Sequence, residues 1–199
     1  MTPSRVTGIV LAGGASRRFG RDKLREELRG EPLLAHAVRR LAEVVPEICV
    51  VTTRDDRLPS LPADLTVEYV RDLIEHEGPL RGTARGLRSV DSDWSIVVGG
   101  DMPDLQPSVL TALLGFAAAR DASGAALGEG DHFRPLPCVV RTAAALEVAE
   151  RLLAQGERSL RSLLAQLSVA VLEEGSWLPL DPERRTLRDV DRPSDLAEG

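Results

Sequence analysis

Short, nearly uninterrupted apolar runs alternate along this chain with segments of helical period. The runs are "VTGIVLA" (6–12), "EICVVTT" (47–53), "LTVEYV" (65–70), "WSIVVGG" (94–100), "PLPCVVR" (135–141) and "VAVLEE" (169–174). Each has the length of a strand. A strand that is apolar on both sides must be covered on both sides, as in a parallel sheet flanked by helices. The covering helices are predicted at 32–45, where Leu33, Ala37, Leu41 and Val44 share a face, and at 108–119 and 143–155. Gly156 ends the last of these, and "SLRSLLAQL" starts a further short helix. Strands alternating with helices make βαβ units. The fold class expected is therefore α/β, a three-layer αβα sandwich around a mostly parallel sheet. Such sheets bind ligands beyond the carboxyl ends of their strands, so the residues after each apolar run are the ones to read for chemistry.

No repeat, low-complexity stretch or linker divides the 199 residues, and a single domain over 1–199 is expected. Aromatic residues make up 3% of the chain, so the core has to be built from Leu, Val, Ala and Ile. The net charge of -6 argues against a general nucleic-acid binder, which needs a basic face. It leaves room for anionic small molecules, because one basic loop makes a local positive field. Cys49 and Cys138 lie far apart in apolar runs, without metal or redox spacing, and read as buried reduced thiols. Arg5 and the apolar run after it mimic a short signal peptide. The run is short, however, and leads into a basic cluster, so that reading is rejected. No stretch approaches the ~20 apolar residues of a membrane span. A cytoplasmic protein is expected.

The first strand end is "LAGGASRRFGRDK" (11–23). Glycines after a strand let the backbone turn tightly and approach a ligand closely. Exposed N–H groups in such a loop can cradle phosphate oxygens. Arg17, Arg18, Arg21 and Lys23 add cationic donors. A Walker A loop is excluded, because Gly14 and Gly20 have five residues between them and Lys23 lies three past the second. Gly13–Gly14 gives no dinucleotide fingerprint either. A glycine turn with solvated arginines is the competing reading. The chain has 24 arginines and one lysine, and that lysine is Lys23. Lysine is a compact charge on a slim stem and arginine a broad planar fork. A site that reaches into a phosphate cluster suits the former.

This stretch resembles the L-A-G-G-x-S-x-R-x-G-x-D-K signature of the molybdenum cofactor guanylyltransferases and their nucleotidyltransferase relatives. Leu11, Ala12, Gly13, Gly14, Ser16, Arg18, Gly20, Asp22 and Lys23 match it, and Phe19 stands where methionine is usual. The resemblance implies a loop wrapped around a nucleotide triphosphate. It also implies a Rossmann-like nucleotide-diphospho-sugar transferase fold with a mostly parallel mixed sheet. On this reading residues 1–105 form a nucleotide-binding half and 106–199 an acceptor-substrate half.

Past the third run, Asp72 precedes "GPLRG" (78–82) and a predicted helix. A carboxylate there can accept from the N1–H and amino group of guanine, or it can cap the helix. The stretch looks like the family's D-x(n)-G-P-L-x-G segment, which implies that Asp72 belongs to the nucleotide site. Asp101 follows "WSIVVGG" and opens "DMPDL". Its hard oxygens suit Mg²⁺, which takes one or two carboxylates plus substrate phosphates. A plain turn aspartate is the alternative. The segment resembles the family's metal-binding D-M-P motif, implying Mg²⁺ as cofactor at Asp101.

The ending "LRDVDRPSDL" (187–196) looks like the family's N-x-N-T-P-E-D-L, with Asp189 and Asp191 replacing both asparagines and Arg192 the threonine. These carboxylates read either as further metal ligands or as acceptors on a helix cap. "VVTTR" (50–54) also departs from the family, which often carries an asparagine near Val51–Thr52. Residues 131–164, including "GERS" (156–159), look like the acceptor half of the guanylyltransferases. Arg134 and Arg158 are read as contacts to an anionic pterin or as surface and cap residues. His36, His76 and His132 have no ligand spacing and read as structural or solvated.

The resemblance implies transfer of GMP from GTP to molybdopterin with release of pyrophosphate, and contact with cofactor-biosynthesis or cofactor-accepting enzymes. Lys23, Asp101 and Arg18 would be catalytic. Leu11, Ala12, Gly13, Gly14, Lys23, Asp72 and Asp101 would bind the nucleotide. Two alternatives stay open. One is a relative using CTP on molybdopterin or GTP on a small phospho-acid, as phospholactate guanylyltransferase does. The other is a nucleotide-binding protein without catalysis.

Overall fold

A computed structural model describes residues 5–13, 19, 22–53, 59–72 and 78–196. The chain enters through strand β1 (Val6–Leu11) and a 3-10 turn (Lys23–Arg25). A small hairpin of β2 (Glu27–Leu28) and β3 (Glu31–Pro32) leads into helix α1 (Leu33–Ala42). Then come β4 (Glu47–Thr52), β5 (Glu68–Arg71), α2 (Pro79–Ser89), β6 (Trp94–Gly99) and α3 (Pro107–Ala119). The remaining regular elements are β7 (Gly124–Glu129), β8 (His132–Arg141), α4 (Thr142–Ala154), α5 (Leu160–Gln166), β9 (Ala170–Leu172) and α6 (Glu174–Trp177).

All six apolar runs reach one seven-stranded sheet, in the order β5-β4-β1-β6-β8-β7-β9. Only the β8 pairings, to β6 and β7, are antiparallel, so the sheet is mixed and mostly parallel. The central strands are buried on both faces because side chains alternate between two cores. Val10, Val50, Ile96 and Val98 point into one core with Leu34 and Leu41 of α1 and Leu110 and Leu113 of α3. Ile9, Cys49, Val51 and Val97 point into the other with Leu80 of α2, Ala145 of α4 and Leu163 of α5. Cys49 and Cys138 are free thiols inside this second core, and burial pushes Cys138 up to about 12. Among the described residues no helix is long and apolar enough to cross a membrane.

Several element bounds, and one whole strand, differ from the expected pattern. Leu65 and Val67 pack on the first core ahead of the edge strand, which starts at Glu68 rather than 65. Helix α2 begins within "GPLRG", at Pro79, where proline's fixed φ suits a first turn. Strand β7, "GAALGE", had no apolar-run signal. Its alanines and glycines have little strand preference, and its place is set by pairing with β8 and β9.

Candidate functional site

The carboxyl ends of the parallel strands stop level with one another. Leu11 pairs with Val51 on one side and Gly99 on the other, and Thr52 pairs with Arg71. Three backbone bonds extend this edge past the regular ladder. The Ala12 N–H donates to the Val51 carbonyl at 2.8 Å, Gly100 to Leu11 at 3.0 Å and Asp72 to Thr52 at 2.7 Å. Ala12 is buried and Gly13 exposed. Asp101 follows β6 at the centre of this edge. A Cβ at Gly99 would collide with its Oδ1, so glycine there lets the carboxylate fold back over the strand end.

Lys23 arrives from the 3-10 turn. The Asp22 side chain caps that turn by accepting from the Leu24 N–H at 3.2 Å, and Leu24 is buried in the core. With the turn held at both points, the lysine stem crosses to the end of β6. Its ammonium lies 2.7 Å from Asp101 Oδ2 and 3.0 Å from Asp191 Oδ1, and donates to the Val190 carbonyl at 2.8 Å. The Lys23 side chain is 12% exposed, against 27% for Asp101 and 43% for Asp191. Burial opposes its charge, but Asp101 and then Asp191 outweigh burial and hold the ammonium above its ordinary pKa.

The C-terminal segment closes this side. Val190 is buried with Phe19, Leu28 and Leu33, and its N–H donates to the Asp101 carbonyl at 2.9 Å. Asp195 caps the last turn by accepting from the N–H groups of Arg192 (2.8 Å) and Asp191 (2.9 Å), which hold its carboxyl below the usual range. The cap of this last turn is Asp195, while Asp191 Oδ1 faces Lys23. Asp189 reaches solvent at its edge. Enclosure by the surrounding chain, then the charges of Asp101 and Asp191, raise its carboxyl above the ordinary value, while Arg134 opposes this.

Two oxygens from different carboxylates and one carbonyl converge on a single cationic group. That donor set suits a hard cation, with Lys23 as the cation now in place. Among the described residues no cluster of three or more His, Cys, Asp or Glu side chains is arranged for a metal ion. Asp101 and Asp191 fit the Mg²⁺ pattern of one or two carboxylates completed by substrate oxygens.

Other candidates stand apart. Asp72 is three strands from Asp101 along the sheet, about 14 Å at the usual strand spacing. It is buried, and Arg81 Nε on α2 donates to its Oδ1 at 3.3 Å. Arg158 sits against the start of α2: its carbonyl accepts from the Leu80 N–H at 3.3 Å, and Gly78, at φ 85°, leaves room for it. In "GERS" the capping is done by Glu157, whose carboxylate accepts from the Ser159 and Arg158 N–H groups and the Ser162 hydroxyl. Arg134 donates to the Leu187 carbonyl at 3.2 Å and pairs with Glu129 at 3.6 Å. His36 Nε2 bonds the Leu28 carbonyl, a structural role. Gly14, Ser16, Arg17, Arg18, Gly20, Arg21 and His76 lie outside the described residues.

Sequence reasoning missed Asp104. It is buried, with Arg29 on Oδ1 and Arg188 on Oδ2, each at 2.9 Å. The pair ties the β2–β3 turn and the C-terminal segment to the loop that carries Asp101. Its one signal was a second aspartate in "DMPDL". A cleft of about 700 Å³ is lined by the segment that leads from β4 into β5, with Leu61, Leu65, Val67 and Tyr69 among its residues. Among the described residues no charged side chain lines it, and Lys23, Asp101 and Asp191 are not part of it.

The model of the MobA-like NTP transferase domain matches residues 8–171. Two relatives named "Probable molybdenum cofactor guanylyltransferase" align over nearly the whole chain. The one from Opitutus terrae is 37% identical, covering 95% of this chain and 96% of its own. The one from Chloroflexus aggregans is 34% identical, covering 96% and 91%. The solved structure of molybdopterin-guanine dinucleotide biosynthesis protein A from Archaeoglobus fulgidus superposes with a TM-score of 0.80 at 23% identity, covering 96% and 95%.

Proposed function

The chain belongs to the MobA-like NTP transferase family, and from that premise we propose that it transfers GMP from GTP to molybdopterin, releasing pyrophosphate. The observation that carries this reading is the meeting of Lys23 and Asp101 at the end of β6, next to the end of β1 and the exposed Gly13, at the carboxyl edge of the parallel strands. A terminal phosphate oxygen of the pterin attacks the α-phosphorus of GTP. The new P–O bond forms as the bond to the β-phosphate oxygen breaks, and pyrophosphate leaves. The attacking oxygen is already anionic, so no general base is required. Rate then depends on positioning and on neutralising charge at phosphoryl oxygens.

Under this reading the Leu11–Gly14 backbone lies along the nucleotide, and Asp72 takes the guanine edge at the far end. Lys23 and Arg18 neutralise the triphosphate, with Lys23 favouring departure of pyrophosphate. Asp101, with Asp191 beside it, would hold Mg²⁺, which when bound supplies Lewis-acid neutralisation of phosphate oxygens. Residues 1–105 serve the nucleotide and 106–199 the acceptor, with Arg134 and Arg158 as anion contacts. On the same reading the protein works in the cytoplasm, in contact with enzymes that make or receive the cofactor.

One observation favours a second reading, CTP in place of GTP: carboxylates stand at 189 and 191, where the guanylyltransferase pattern has asparagines. Pyrophosphate release from GTP and from CTP, each with and without molybdopterin, tests both. Molybdopterin-dependent release from GTP alone supports the first. Release from CTP alone replaces it with the second.

A further inference from the structure

Lys23 already occupies the point where the acidic oxygens converge. Asp101 Oδ2, Asp191 Oδ1 and the Val190 carbonyl oxygen surround its ammonium at 2.7, 3.0 and 2.8 Å. All three are hard oxygens, the ligand type of Mg²⁺ and Mn²⁺. The two carboxylates carry two negative charges and the ammonium one positive charge, so the cluster keeps an excess negative charge. An ammonium and a divalent ion repel strongly at such spacings, so they can hold this place only in turn. The lysine can leave without unfolding its surroundings. The Asp22 cap and buried Leu24 fix its turn, while four rotatable carbons carry the charge. The backbone that carries these oxygens is held independently of it: Val190 N–H is bonded to the Asp101 carbonyl, and Asp191 N–H to Asp195.

We infer that Lys23 is the resident cation of the Asp101–Asp191 pair in the nucleotide-free protein, and yields that place to a divalent cation when a polyphosphate draws its ammonium away. The inference rests on reading this site as one for nucleotide and metal. Metal alone then binds weakly, and metal and polyphosphate bind together. Asp191 holds Lys23 until exchange and, with Asp101, faces the divalent ion after it.

The single lysine makes the exchange observable in the unaltered protein. Selective ¹⁵N-lysine labelling gives one Nζ signal. In the free protein it is expected to exchange slowly with water, to stay in place with Mg²⁺ alone, and to move when Mg²⁺ and inorganic tripolyphosphate are added together. A signal like that of a solvated lysine, or one that moves as far with Mg²⁺ alone, overturns the inference. Mn²⁺ binding followed by electron paramagnetic resonance, without nucleotide, gives a second measure. Lys23→Gln is expected to bind Mn²⁺ at least about tenfold more tightly than wild type, because a competing charge is gone. Adding Asp191→Asn should reverse most of that gain. A cooperatively melting Lys23→Gln protein with unchanged or weaker Mn²⁺ affinity also overturns it. Neither measurement uses GTP or molybdopterin. Tightened Mn²⁺ binding without GTP turnover would leave the exchange standing and remove the proposed reaction. GTP turnover without tightening would do the reverse.

Discussion

Asp101 and Asp104 lie three residues apart in one loop and have opposite surroundings. Asp104 is 7% exposed and gripped by two arginines from distant segments. Asp101 is 27% exposed and faces a lysine, beside a second carboxylate that is more exposed still. A planar guanidinium matches a carboxylate geometrically and is always charged, which suits a permanent clamp. An ammonium is a point charge on a flexible stem, which suits a partner that has to change. The difference teaches where this loop is structural and where it is available for chemistry. The chain uses arginine at 24 basic positions and lysine at the one where a contact is proposed to break during turnover.

The largest test is at the exposed carboxylate. Asp101→Ala and Lys23→Ala should each lower turnover by about 10²-fold or more while keeping the fold, as loss of one preorganised electrostatic group does. Pyrophosphate release and a thermal melt measure the two halves of that statement, and wild-type turnover in either variant removes that residue from the mechanism. Lys23→Arg sharpens the contrast between the two cations. It should keep the charge and lose about tenfold in turnover, because a bidentate fork grips carboxylates instead of releasing them. Normal turnover would make the lone lysine an accident of composition.

Asp104→Asn should show the opposite pattern. Two guanidiniums lose their anion in a buried place, costing about 3 kcal/mol of stability in denaturant unfolding, the low end for a broken buried pair because both arginines are partly exposed. At temperatures where it stays folded, turnover should fall much less than in Asp101→Ala. A loss of turnover equal to that of Asp101→Ala without a loss of stability would erase the distinction.

The smallest expected effect is alkaline. The Lys23 pKa is raised above its ordinary 10.5, so its ion pairs contribute fully below that value and fade as pH rises through the higher folded value. The stability difference between wild type and Asp191→Asn should therefore be constant from pH 7 to 9 and shrink above about 10.5. A difference that stays constant beyond pH 11 would place the contribution of Asp191 somewhere other than Lys23.

Much of this architecture was legible in local pattern. The apolar runs at 6–12, 47–53 and 94–100 are strands because nothing polar interrupts them, and their burial on both faces follows from the same fact. Strand β7 was not legible, since Gly124–Glu129 is a strand by virtue of its neighbours. The site divides in the same way. Lys23, Asp72 and Asp101 were visible as residue types at strand ends with a recognisable spacing. Asp104 was not, because a buried carboxylate is identified by Arg29 and Arg188, 75 residues before it and 84 after it.

The alternation of strands and helices, the strand ends that carry charge, the family resemblance and the rarity of lysine are all written in local pattern. These depend on hydrophobic period, turn chemistry and composition, all of which act over a few residues. Tertiary structure alone decided which charges meet. Lys23 and Val190 are 167 residues apart, and their contact depends on a sheet that brings β1 beside β6 and on a C-terminal segment buried through Val190. Electrostatic pairing is a matter of a few ångströms in space, and spacing along the chain does not encode it.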